Sequence, residues 1–101
     1  MDIKNLLAES KARFNHNSAK AYLAEKYKSK LIVAEQGGLW KADLETISFL
    51  NSFSSEQLVL IDTFDSPVQI NRQILLEKLK QVYETTMEQW YAEWKEIESK
   101  R

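Results

Sequence analysis

The 101 residues and 11.8 kDa of this chain fit a single domain, and 44% apolar with 29% charged residues is the composition of a folded protein rather than a disordered one. The absence of cysteine excludes a disulfide framework, a thiolate nucleophile and a cysteine-based metal site. The net charge of −1 hides an asymmetry: residues 1–41 carry eight Lys and Arg against four acids, and residues 42–101 carry six against eleven.

The first segment, "MDIKNLLAES", has no basic n-region and only a short apolar run, so it does not read as a signal peptide. With no cysteine and no stretch of about 18 apolar residues, a cytoplasmic protein without a membrane span is expected. Residues 2–28 predict helix, because Ile3, Leu6, Leu7, Phe14, Ala19, Tyr22, Leu23 and Tyr27 recur at spacings of three and four. "FNHNS" interrupts them with short polar side chains that compete for backbone groups, which predicts a kink or a second helix capped by Asn17 or Ser18.

Both glycines of the chain stand together in "KLIVAEQGGLWKADL", which predicts a hairpin turning at Gly37-Gly38, since primed turns need positive φ at both central residues. In that register Glu35 faces Trp40 and Val33 faces Ala42. One face then collects Leu31, Val33, Trp40, Ala42 and Leu44. Neither the spacing of a phosphate-binding loop nor that of a dinucleotide fold surrounds the glycines.

"DLETISFLNSF" fits two descriptions. As a strand it aligns Ile47, Phe49 and Phe53; as a helix capped by Asp43 it aligns Leu44, Ile47 and Leu50. Its Ile, Thr and Phe favour the strand. "EQLVLIDTF" has the continuous apolar run of a strand covered on both faces. "DSP" turns into "VQIN", with Pro67 at a strand start or edge. From Asn71, the expected N-cap, a helix of about 27 residues and roughly 40 Å follows. Its apolar stripe is Leu75, Leu76, Leu79, Val82, Tyr83, Thr86, Met87, Trp90, Trp94 and Ile97. A helix that long has to pack on the N-terminal helix or on another molecule.

Little here points to catalysis. His16 is the single histidine and has no acid–base partner nearby in sequence. Asp62, Asp65 and Ser66 lack the alternation and the Glu of a calcium loop and read as a hairpin tip. The glutamates of the last helix carry no His pattern and read as its wet face. No enzyme, metal or cofactor is therefore expected.

Two sets of residues stand above this background. Lys11, Arg13, Lys20, Lys26 and Lys28, interleaved with Phe14, Tyr22 and Tyr27, have the chemistry of a single-stranded RNA contact. Met87, Trp90, Tyr91 and Trp94 have that of a protein interface, because Trp and Tyr bury large area at small entropic cost. The tryptophans serve equally well as packing against the first helix.

The candidate strands "KLIVAE", "LWKADLE", "ISFLNSF", "QLVLIDTF" and "VQIN" after an N-terminal helix resemble the Sm/Lsm family of small bent barrels. The resemblance implies a ring in which strand edges join subunits around single-stranded RNA. The family's Arg-Gly signature is missing, with Asp62-Thr63 near its place, and its RNA-contacting loop is not found, so no contact residue carries over. The fold expected is α+β: an N-terminal helix, a strongly bent antiparallel sheet of four to five strands and a long C-terminal helix. If residues 43–53 are helical, two hairpins lie between helices instead. The function expected is that of a small oligomeric interaction or assembly protein, with an Sm-like RNA-binding ring as the alternative.

Overall fold

Neither glycine nor proline occurs between residues 3 and 30, and that stretch forms one helix, α1 (Ile3–Lys30). The computed structural model describes the backbone of residues 3–99 and the side chains of residues 17–99. The expected break at "FNHNS" is absent from the backbone. Short polar residues cost a helix only about 0.5 kcal/mol each, less than interrupting its hydrogen-bond ladder. The side chains of His16, Lys11 and Arg13 lie outside the described residues.

A hairpin of β1 (Ile32–Glu35) and β2 (Gly38–Lys41) follows. Its turn is centred on Gln36-Gly37, one residue earlier than expected, with φ of 51° and 81°. Val33 pairs with Trp40 and Ala34 with Leu39. The pairing therefore slips by two residues, which leaves every side chain on its predicted face. Val33, Trp40 and Ala42 are buried and Leu31 packs beside them, while Leu44, grouped with them in the expectation, stays exposed.

Two contacts place the turn where it is. Gln36 tolerates the left-handed region while its amide side chain grips Asn71, accepting the Asn71 N–H at 2.7 Å and donating to the Asn71 carbonyl at 3.3 Å. Gly38 lies under the Trp40 indole, where a Cβ would come within 2.5 Å of the ring. The indole N–H donates to the Glu35 carbonyl at 2.8 Å.

Residues 44–51 form a helix, α2 (Leu44–Asn51), and not the favoured strand. Asp43 caps it from an extended conformation, its Oδ1 accepting the Thr46 N–H at 2.8 Å. Helical spacing buries Ile47 and Leu50 together, which outweighs the β preference of Ile, Thr and Phe. Phe49 and Phe53 stay outside, edge to face at 5.0 Å.

A second hairpin, β3 (Gln57–Ile61) and β4 (Pro67–Asn71), runs directly into α3 (Arg72–Ser99). Asn71 caps α3 by accepting the Ile74 N–H at 3.0 Å. The Arg72 guanidinium donates to the carbonyls of Ser55 and Leu50, closing the C-terminal end of α2. The architecture is α+β with three helices and two separate two-stranded antiparallel sheets. The strongly bent sheet of four to five strands and the Sm/Lsm-like barrel are thus corrected. Once residues 44–51 are helical, no continuous path of strands remains to curl and close.

The core joins Val33, Trp40 and Ala42 of the first hairpin, Ile47 and Leu50 of α2, Ile70 of β4, and Leu75, Leu76 and Leu79 of α3. Beyond it α3 continues along α1 in antiparallel fashion, giving overall dimensions of 66 × 24 × 20 Å. Tyr27 stacks on Trp90 at 6.0 Å, Lys26 pairs with Glu93 at 2.9 Å and Lys20 with Glu98 at 3.1 Å. The two long helices therefore meet within one chain.

Candidate interaction surfaces

Of the residues proposed from sequence for RNA, Lys28 is exposed and makes no ion pair among the described residues, and Lys20 and Lys26 are engaged. Lys20 and Lys26 are held by glutamates of α3 and lie over the Trp94 and Tyr27 rings. The Glu93 Oε1 accepts from the Lys26 ammonium and also from the Tyr27 hydroxyl, at 2.5 Å. The Tyr27 and Lys26 bonds hold the Glu93 carboxyl below its ordinary value. The same bonds to Glu93 raise the Lys26 and Tyr27 values. Two of the candidate lysines of the first helix are thus engaged by acids of the last.

The interface candidates separate into two groups. Trp90 and Met87 are half-buried, and Trp90 is engaged with Tyr27. Tyr91 is exposed and stacks on Trp94 at 6.4 Å, beside Lys95. Met87 and Trp90 also line a groove of about 500 Å³ between α3 and the open end of the first hairpin. Leu31, Ile32, Leu44 and Tyr83 complete its apolar lining, and Lys28 and Lys41 stand at its rim. Leu44 and Ile32 keep 59% and 47% of their surface in water, so the groove is open. Asp43 also borders it. Burial pushes the Asp43 carboxyl up, but its bonds to Thr46 outweigh this and hold it below the ordinary value.

Sequence reasoning missed a second surface. β3 was expected to be covered on both faces, yet only Leu58 and Leu60 turn inward, while Val59 and Ile61 are 65% and 61% exposed. The bonds from Asp62 N–H to Ser66 and from Arg72 N–H to Glu56 fix which residues face β4. By alternation the backbone groups of Gln57, Val59 and Ile61 point away from it. Among the described residues none of these outward groups has a partner. Phe49 of α2 stands across this edge, enclosing a groove of about 540 Å³ floored by Trp40.

A third feature is the tip of the second hairpin. Asp62 is buried, and its carboxylate accepts three backbone N–H groups, from Leu39 at 3.1 Å, Phe64 at 3.0 Å and Ser66 at 3.1 Å. These bonds, that of Ser66 foremost, depress its value against the opposing effect of burial. Thr63 N–H donates to the Leu39 carbonyl, so the tip is tied to the first hairpin. Asp65 adopts φ of 59° and Phe64 projects outward, 73% exposed. The sequence carried a signal for this: an aromatic between two acids in a turn has no core to enter.

Among the described residues no helix is long and apolar enough to cross a membrane, and no group of three His, Asp or Glu could hold a metal ion. Compared with protein families, curated proteins and solved structures, the chain matches none.

Proposed function

We propose that the chain is a non-catalytic assembly protein that acts by binding further copies of itself. The observation that carries this reading is the open apolar groove beside Met87 and Trp90, with Ile32 and Leu44 left in water although the buried Val33 and Ala42 lie one and two residues away. The uncharged outer edge of β3 adds to it, because edges not meant for pairing are usually guarded by Lys, Pro or a bulge. The displaced titratable groups fit the same reading. Asp43, Asp62 and the Lys26–Tyr27–Glu93 cluster are each engaged in a structural bond.

Light scattering on a sizing column, from about 10 μM to 1 mM chain, tests the reading. A mass that exceeds the monomer and rises with concentration is expected. A monomer throughout that range rejects self-assembly.

A further inference from the structure

We infer that the contact between copies is head to tail: the Phe64 tip of one chain enters the groove between α3 and the first hairpin of the next. The inference rests on the self-association proposed above and specifies its two halves. The projecting half is rigid. Asp62 clamps the turn from inside and Leu39 ties it from outside, so Phe64 is presented without much further loss of entropy. The receiving half is concave and apolar, and about 500 Å³ accommodates a phenyl ring with the turn that carries it.

Charge selects a second copy as the occupant. The tip carries an exposed Asp65 beside Phe64, and the groove is bordered by Lys28, Lys41 and Asp43, so its rim is net positive. Neither lysine makes an ion pair among the described residues, unlike Lys20 and Lys26. Knob and groove thus match in shape, polarity and sign.

The two halves cannot meet within one chain. Phe64 sits beside residues 34–39 at the turn of the first hairpin, and the groove opens beside Ile32 and Lys41 at the other end. The four residues from Ile32 to Gln36 separate them by about 13 Å at some 3.3 Å per residue. Two different patches on one surface form a heterologous contact, which continues into a ring or a filament and does not stop at a two-fold dimer.

The experiment uses two full-length variants, Phe64→Ser without the knob and Leu44→Glu with the groove blocked by an acid. Both positions are exposed, so circular dichroism should show unchanged folding, and Ile32→Glu replaces Leu44→Glu if it does not. By light scattering each variant alone should associate at least about tenfold more weakly than the parent chain. Their equimolar mixture keeps one intact contact and should give a dimer and nothing larger. A mixture that stays monomeric, or one that regains the parent's mass, overturns the head-to-tail contact. So does a Phe64→Ser protein with the parent's mass, although self-association then stands. A parent chain that is monomeric throughout removes the underlying reading as well.

Discussion

Gly38→Ala isolates one physical cause. Gly38 has no positive φ, so alanine meets no backbone objection there, whereas Gly37 lies at φ 81° with open space around it. A Cβ on residue 38 would stand 2.5 Å from Cζ2 and 2.8 Å from Cε2 of Trp40, a ring that is buried and bonded through its N–H to Glu35. Relieving that overlap means moving a rigid indole in a packed core, about 1–3 kcal/mol. Loss of the indole hydrogen bond adds about 1 kcal/mol. Gly38→Ala should therefore cost about 2–4 kcal/mol, and Gly37→Ala only the left-handed penalty of about 1–2 kcal/mol. Urea melts followed by tryptophan fluorescence and circular dichroism measure both. The decisive arm is a double-mutant cycle with Trp40→Phe, in whose background Gly38→Ala should lose most of its effect. If Gly38→Ala costs no more than Gly37→Ala, or the same with Phe as with Trp at position 40, the steric argument fails.

The Gln36 turn gives a related comparison: Gln36→Ala should be less stable than Gln36→Gly by about 1 kcal/mol in urea melts, because both lose the Asn71 bonds and only alanine keeps the strain. Asp62 is depressed in the folded chain, so its contribution is complete above the ordinary carboxylate range and is lost as pH falls through about 4 and below. Melts between pH 6 and pH 3 should show Asp62→Ala with lower stability at pH 6 and a shallower decline than the parent; equal slopes refute the assignment. Lys26 and Tyr27 are raised, so their contribution holds at neutral pH and is lost as pH rises through their folded values, above about 10. Tyr27→Phe should accordingly speed amide exchange in residues 17–30 while leaving β3 and β4 unchanged. Val59→Lys combined with Ile61→Lys should alter stability by less than about 0.5 kcal/mol and lower the parent's native mass if the β3 edge contributes to assembly.

What the sequence made legible depended on which errors the period forgave. The first hairpin was placed with its turn one residue late, yet its faces were right, because a two-residue slip preserves alternation. The long last helix and its inward stripe were equally plain from spacings of three and four. Residues 43–53 were not. Ile47 serves either period, and the deciding feature is the Asp43 cap, which side-chain preference does not reveal. That one choice carried the barrel resemblance with it. The apolar run in β3 misled for a different reason: composition cannot tell a strand covered twice from one whose second face is left open. Met87 and Trp90 were found as surface candidates, but Leu44, Val59, Ile61 and Phe64 needed the fold to show that nothing among the described residues covers them.

Part of the charge asymmetry of the sequence is met within the chain. Lys20 and Lys26 are bonded to Glu98 and Glu93 and align the two long helices. Lys28 and Lys41 make no ion pair among the described residues and stand with Asp43 at the mouth of an apolar groove. Exposed charges on a solvated face cost little and explain little. Two of them framing Leu44, Ile32 and Met87 are different, because an entering acid would shed water beside an apolar wall, where its attraction to the lysines is screened less. Association through this groove should therefore weaken as salt is raised from about 0.05 to 0.5 M, while pairing through the uncharged edge of β3 should strengthen or hold. The salt dependence of the native mass tells which of the two surfaces joins the copies.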